Sequence, residues 1–251
     1  MRLFLHELRS QQKLFWRNRE AAFFSFLFPI LLLVLVGSVY GDQPVEGVPA
    51  ATYILVGLLG YGVAANAFAA LAITLVVRRE TGVLKRVRGT PLGPGTYLAA
   101  VIGSTMIVIT LQAAAQLLLG RTVLGADLPE RWLHLVFAVL LGSAAFAALG
   151  IAVTALVRTA EGSSAVVNAI YLPMAFLSGV FFSPEEMPRF LQAISELLPL
   201  TYFLELLRAT FIAGETFGAS AIAAVSLWGL AGLVLAVRRF RWEPREGMTG
   251  A

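Results

Sequence analysis

Apolar residues occur in blocks that are each long enough to cross a lipid bilayer, and this feature constrains the fold more than any other. A helix needs about 20 such residues to cover a hydrocarbon core of roughly 30 Å. Hydrophobic residues make up 58% of the 251-residue chain and charged residues 14%, which leaves no room for a separate soluble domain. We predict an all-α polytopic membrane protein with one transmembrane domain, residues 1–251. Its six spans are predicted at about residues 21–40, 51–77, 98–119, 132–157, 164–182 and 219–237.

Basic residues fall on alternate sides of the predicted spans. Segments 1–20 and 78–97 carry five Lys or Arg residues each, 158–163 carries one and 238–251 carries four, out of 19 in the chain. Because cytoplasmic loops carry the excess of Lys and Arg, both termini are predicted to be cytoplasmic, in a multi-pass protein of the cell (inner or plasma) membrane. The net charge of +4 follows from this topology and does not indicate a nucleic-acid partner.

Two segments outside the spans show helical periodicity. Residues 1–20 are predicted to form a basic amphipathic helix that lies in the membrane interface, or else braces the first span or contacts a partner. Residues 183–214 contain two apolar segments too short to cross the bilayer, which we predict as external or re-entrant short helices. The first opens with a capping pattern of serine, proline and two glutamates. The residues of interest here are Pro184, Glu185, Glu186, Pro199, Tyr202 and Glu205.

A basic, turn-rich loop at residues 78–97, RRETGVLKRVRGTPLGPGTY, separates the second and third spans. It carries five basic residues against one acid, so we expect it to lie in water on the cytoplasmic side. Its middle predicts a short helix, which Thr90-Pro91 ends, with an apolar arc and cations around the rest. We expect a partner to act on this surface. The arc consists of Val83, Leu84 and Val87, and the cations are Lys85, Arg86 and Arg88.

The sequence lacks the residues that a catalytic or metal site would need. It has no cysteine and two histidines, and neither histidine has an acid and a second histidine nearby at metal-ligand spacing. The phosphate-binding pattern G-x-x-x-x-G-K-[ST] is absent, so we expect this chain to bind neither ATP nor another cofactor. No Asp, Glu, Lys or Arg lies in the middle of a span, which argues against transport driven by an ion gradient.

The polar residues within the spans are amides and hydroxyls. Gln112 and Gln116 are one helical turn apart on the same face. Such groups need partners in lipid, and two interpretations stay open. They could form hydrogen bonds between helices, worth about 0.6–2 kcal/mol each, or they could line a substrate route. The candidate route residues are Asn66, Gln112, Gln116 and Asn168.

These segments together resemble the permease subunits of ATP-binding-cassette exporters of the type 2 family, including the drug- and antibiotic-export branch. The resemblance covers nearly the whole chain. The basic loop resembles the family pattern R-E-x-G-x-L-x-R-L-R-x-T-P, and LSGVFFSPEEMPRFLQAISELLPLTYFLELLRA resembles the family signature, with a P-x-x-Y turn at Pro199 and Tyr202. The loop residues that match are Arg79, Glu80, Gly82, Leu84, Arg86, Arg88, Thr90 and Pro91.

The resemblance implies that the basic loop holds a coupling helix that contacts a separate cytoplasmic ATPase. That subunit would bind ATP and magnesium. Two ATPase copies and a second permease copy, forming a homodimer, would complete the exporter, with the short helices near the external exit. The expected cargo is a hydrophobic or amphiphilic drug, antibiotic or lipid-like molecule. Alternatives are a permease for polysaccharide or glycolipid export, a non-transporting membrane anchor or assembly protein, and an enzyme whose site the sequence does not reveal.

Overall fold

The computed structural model describes residues 1–40, 44–45, 48–184, 187–211 and 217–243, and these are mostly helical. Strands β1 (Pro44–Val45) and β2 (Val48–Pro49) form an antiparallel pair. Two π-helical segments, Phe23–Leu27 and Ala65–Ala70, interrupt the helical runs. The α-helices in chain order are α1 (Arg2–Arg17), α2 (Arg19–Ala22), α3 (Phe28–Tyr40), α4 (Ala50–Ala64), α5 (Leu71–Glu80), α6 (Val83–Arg88), α7 (Pro94–Leu124), α8 (Trp132–Val153), α9 (Ser163–Leu177), α10 (Arg189–Ser195), α11 (Pro199–Arg208) and α12 (Ala219–Arg239).

Several helical runs are long and apolar enough to cross a membrane. α10 and α11 together form a further candidate, bent by 82° between its halves. α9 has 15 residues and ends before the predicted fifth span does, because the chain turns at Gly179, where φ is 86°. The predicted class, an all-α polytopic membrane protein, is confirmed. The five continuous candidates among the described residues are Arg19–Gly37, Ala50–Glu80, Pro94–Leu124, Trp132–Val153 and Ala219–Arg239.

The ends of α5, α8 and α12 meet at one end of the bundle, which we call the basic end. Arg79, in the last turn of α5, donates hydrogen bonds to the carbonyl oxygens of Thr154 and Val157, which follow α8. Arg88 of α6 lies 3.4 Å from the carboxylate of Glu243, which follows α12. α1 lies at the same end, because it packs on the first half of α7. The described chain therefore begins and ends at the basic end.

The segments after α7 and α9 lie at the opposite end of the bundle, beside the start of α4. Thr52, at the start of α4, donates to Asp127 Oδ2, in the segment after α7, over 3.1 Å. Tyr53 donates to the carbonyl oxygen of Gly179, after α9, over 3.2 Å. α9 thus runs from the basic end to the opposite end in spite of its length. Consecutive crossing helices alternate in direction along the described chain.

α11 is buried inside the bundle, where it packs against α4, α8 and α12. Phe203 and Leu204, on its inner face, are fully buried. Two glycines provide the space, because a Cβ on Gly142 would overlap the Phe203 ring and a Cβ on Gly60 would overlap the Leu204 side chain. α10, in contrast, is mostly exposed. Of the two predicted short helices, the second is therefore the buried one and the first lies mostly at the surface.

α10 begins later than the capping pattern predicts. The described helix starts at Arg189, with Pro188 in an extended conformation at its N-cap position (φ −55°, ψ 145°). Proline removes a backbone N–H and disfavours helical geometry in the residue before it, so the helix starts after Pro188. The predicted capping residues Glu185 and Glu186 lie outside the described residues.

Gly57 of α4 lies against the backbone of Val180, in the turn after α9. A Cβ at residue 57 would overlap the Val180 carbonyl oxygen, which cannot move without displacing that turn. We expect Gly57→Ala to destabilise the fold by about 1–3 kcal/mol, the usual cost of overpacking, and to lower the thermal unfolding midpoint in detergent. Gly95→Ala is the control, because its Cβ would have nothing within 4 Å. Equal midpoints for the two variants would contradict this packing.

Candidate functional site

The predicted short helix of the basic loop is present as α6. Gly82 separates it from α5 by adopting a left-handed conformation (φ 72°, ψ 9°), which costs residues with a side chain about 1–2 kcal/mol. Thr90 Oγ1 donates to the Val87 carbonyl oxygen over 2.7 Å just after the helix ends. Pro94 then occupies the first turn of α7, where proline is favoured. The loop therefore contains a short helix with a defined start and a defined end.

The two faces of α6 differ in what they contact. Leu84 is fully buried in the core, and Val83 and Val87 are half-buried. The apolar arc thus packs on the chain's own bundle. The opposite side of the helix is cationic and open to solvent, with Pro91 exposed beyond it. The exposed cations are Lys85, Arg86 and Arg88.

Arg79 lies beside this helix but is only 2% exposed. Its Nε donates to Glu80 Oε1 over 2.7 Å. Its Nη1 and Nη2 donate to the carbonyl oxygens of Thr154 (3.0 Å) and Val157 (2.8 Å). The guanidinium therefore links the end of α5 to the turn after α8. The neighbouring pair Arg88–Glu243 is exposed on both sides, and such pairs contribute little to stability.

A second candidate site is a buried chain of polar side chains inside the bundle. Ser25 Oγ donates to Asn66 Oδ1 over 2.8 Å, and Asn66 Nδ2 donates to Gln112 Oε1 over 2.7 Å. Gln116, one turn further along α7, donates to the Leu58 carbonyl oxygen over 3.3 Å. Three of the four predicted route residues are thus together. Asn168 is half-buried on α9, and no described hydrogen bond joins it to the others.

This polar chain carries two buried atoms without a hydrogen-bond partner among the described residues. They are Gln112 Nε2, a donor, and Gln116 Oε1, an acceptor. Ser25 and Asn66 lie in the two π-helical segments, and π-helical turns inside α-helices are frequent at functional sites. The two side chains thus offer one donor and one acceptor to a further polar group.

The opposite end holds a cation that the sequence patterns did not single out. Arg208 of α11 stacks 4.5 Å from the centroid of the Tyr53 ring and donates to the Gly179 carbonyl oxygen over 2.7 Å. Tyr202 donates to the Glu196 carbonyl oxygen over 2.6 Å, joining α11 to the end of α10. Glu205 is exposed on α11.

Ser25 was the other residue that sequence inspection missed. The available signal was a hydroxyl near the start of a mainly apolar predicted span, where it needs a partner once the segment lies in lipid. Pro199 occupies the first turn of α11, and Pro184 is half-buried. Within the described ranges, no three His, Asp or Glu side chains come together in a way that could hold a metal ion.

Comparisons with known proteins agree with one another. A model of the ABC-2 type transporter family matches residues 2–212. "Putative transport permease YvfS" of Bacillus subtilis (strain 168) is 25% identical over 195 residues, which cover 77% of this chain and 79% of the relative. "Inner membrane transport permease YadH" of Escherichia coli (strain K12) is 24% identical over 192 residues, covering 74% and 72%. "Probable multidrug ABC transporter permease YbhS" of Escherichia coli (strain K12) is 25% identical over 171 residues, covering 67% and 43%.

Removal of the Arg79 guanidinium should destabilise the basic end. In Arg79→Met the carbonyl oxygens of Thr154 and Val157 lose their donor, and each buried acceptor left unsatisfied costs about 1–3 kcal/mol. We expect a clearly lower thermal unfolding midpoint in detergent. Arg86→Met is the matched control, because Arg86 is exposed on α6. An Arg79→Met midpoint equal to that of the control would show that the buried contacts contribute nothing.

The Asn66–Gln112 hydrogen bond can be measured with a double-mutant cycle. We expect Asn66→Leu and Gln112→Leu to be non-additive, with a coupling energy of about 0.6–1.7 kcal/mol, the range found between membrane helices. Unfolding in mixed micelles gives the free energies. Thr110→Val is the control partner for Asn66→Leu, because Thr110 is exposed and donates to its own helix. That pair should be additive, and additivity of the Asn66 and Gln112 changes would refute the contact.

Proposed function

The chain belongs to the ABC-2 type transporter family, and we propose that it is the permease subunit of an exporter powered by a separate ATPase. A multi-pass membrane permease is what the family match and the named relatives support. The proposed cargo is a hydrophobic or amphiphilic molecule, such as a drug, an antibiotic or a lipid-like compound. The observation that carries the proposal is the exposed cationic face of α6 on a helix that is itself fixed to the bundle.

In this proposal the ATPase binds the exposed side of α6. Lys85, Arg86 and Arg88 offer charge to carboxylates or carbonyl oxygens of the partner. Leu84, buried beneath them, holds α6 against the bundle. Arg79 lies out of the partner's reach and acts as a positioning residue, because it joins the adjoining end of α5 to the turn after α8. A displacement of α6 would therefore move the ends of two membrane-crossing helices.

The proposed orientation places the basic end in the cytoplasm. Both described chain ends lie there, together with the loop that carries α6. An excess of Lys and Arg marks the cytoplasmic side of membrane proteins. The proposed assembly has two permease copies, as a homodimer, and two ATPase copies. The ATPases bind ATP and magnesium, and this chain supplies no group to either.

Two observations support the proposed cargo class: the low polarity of the bundle interior and the name of one relative. Away from their ends the described spans are apolar, and their buried polar groups there are uncharged amides and hydroxyls, which suits cargo with few charges in its apolar part. The relative YbhS bears a name that includes multidrug transport. Export of a polysaccharide or glycolipid is the competing cargo class. An efflux assay in lipid vesicles with the ATPase present, run with a dye panel and with a glycolipid, separates the two.

Charge reversal on α6 tests the proposed coupling. In vesicles that contain this chain and its ATPase, we expect Arg86→Glu to reduce permease-stimulated ATP hydrolysis by about tenfold or more. The new carboxylate would face carboxylates or carbonyl oxygens of the ATPase in a contact that excludes water. Arg241→Glu is the control, since Arg241 is also exposed near the basic end but outside α6. Gly82→Pro, which should disrupt the start of α6, provides a second variant. Full stimulation in both Arg86→Glu and Gly82→Pro would refute the coupling role of α6.

A further inference from the structure

A groove of about 670 Å³ opens between the second half of α1, α5 and the first half of α7. This volume lies within the range of about 300–1,000 Å³ that is typical of sites for small organic ligands. One wall carries Arg17, Asn18 and Phe15. The facing walls come from α5 and α7 and include Arg78 and Val101.

The groove changes character along its length. On α5 and the π-helical segment before it, the lining residues run from Arg78 through Thr74 and Leu71 to Asn66. Twelve residues of helix correspond to about 18 Å, which is close to half of a hydrocarbon core of roughly 30 Å. The groove is therefore lined by a cation at the basic end and by both apolar and hydroxyl side chains in the middle, and it reaches the buried polar chain at its inner end.

The net charge of the groove lining is positive. Two arginines and no Asp or Glu line the groove. Arg78 donates to Tyr97 Oη over 2.8 Å and to Gln11 Oε1 over 2.7 Å, and no described carboxylate is paired with it. The nearest acid in this network is Glu7, which accepts from Gln11 Nε2 over 2.6 Å. Two neutral groups hold the guanidinium in place and leave its charge available to an anion.

The wall formed by α1 is fixed rather than loosely associated. Gln12 Nε2 donates to both the carbonyl oxygen and the hydroxyl of Ser104 on α7, each over 2.9 Å. Leu8 of α1 packs at Gly103, where an added Cβ would lie 3.4 Å from it. A groove with two attached walls is formed before a ligand arrives, so binding requires little ordering of the protein.

We propose that this groove binds an amphiphile with an anionic headgroup and one hydrocarbon chain, taken from the adjacent leaflet. The headgroup lies between Arg17 and Arg78, where a guanidinium can make charge-assisted hydrogen bonds to phosphate or carboxylate oxygens. The chain lies along Leu71 and Val101 toward Asn66. The claim that the bound amphiphile is cargo awaiting export rests on the proposed function. The claim that the groove binds such an amphiphile is independent of it.

The test measures binding of radiolabelled dodecyl phosphate to the purified full-length chain in neutral maltoside micelles, without an ATPase. We expect Arg78→Gln to weaken binding about tenfold, because it removes a charge-assisted contact. Dodecylphosphocholine, which is zwitterionic with the same chain, should bind the unaltered protein about tenfold more weakly than dodecyl phosphate. Arg241→Gln is the control, because it removes an exposed cation at the basic end that does not line the groove. It should leave binding unchanged.

A second variant tests the apolar part of the groove without touching a charge. Ala70 is exposed and lines the groove, so Ala70→Phe should fill it without overpacking the core and abolish dodecyl phosphate binding. Ala99→Phe, also at an exposed alanine but outside the lining, is its control. Equal binding in the unaltered protein, Arg78→Gln and Ala70→Phe would overturn the proposal. Loss of binding in both groove variants, together with full ATPase stimulation in both Arg86→Glu and Gly82→Pro, would uphold the groove and refute the proposed coupling.

Discussion

The buried guanidinium of Arg79 is the interaction on which the basic end of the bundle depends. An ion removed from water loses several kcal/mol of solvation unless acceptors replace the water. Glu80 supplies one acceptor and balances the charge, and the carbonyl oxygens of Thr154 and Val157 supply two more. Carbonyl groups at the end of a helix have no partner within that helix. One side chain therefore satisfies acceptors after α8 and holds α5 beside them.

The same requirement for partners shapes the interior, where lipid and packed helices exclude water. Asn66 has three hydrogen bonds, to Ser25, Gly62 and Gln112. Because Ser25 and Asn66 each lie in a π-helical segment, their bond joins the irregular turns of two different membrane-crossing runs. Irregular backbone is tolerated at membrane depth when it is buried in protein. Gln112 and Gln116 each keep one buried polar atom without a partner among the described residues, so pairing in this network is incomplete at α7.

Properties that depend on local sequence could be predicted, and those that depend on packing between distant segments could not. The length of the apolar blocks indicated the helical class, and Thr90-Pro91 indicated where α6 ends. Periodicity identified the arc at Leu84, and the sequence predicts it on the surface that a partner contacts. Leu84 is instead buried in the chain's own bundle, and periodicity cannot separate the two because both leave the same pattern. The burial of Arg79 depends on the turn after α8, 75 residues away in sequence. Likewise, α11 enters the bundle through space left by glycines on α4 and α8, and no local pattern predicts that match.

Two neighbouring arginines connect the proposed coupling surface to the proposed groove. Successive residues of an α-helix point about 100° apart, since a turn holds 3.6 residues. Arg79 reaches the turn after α8, whereas Arg78 reaches Gln11 of α1 and lines the groove. A rotation or shift of α5, driven from α6, would therefore change both contacts together. Because α1 is tied to α7 through Gln12 and Ser104, movement of Arg78 relative to α7 alters the width of the groove mouth. In the proposed exporter, a force that the ATPase applies to α6 would therefore reach the bound anionic headgroup through Arg78, with no separate sensor for the cargo.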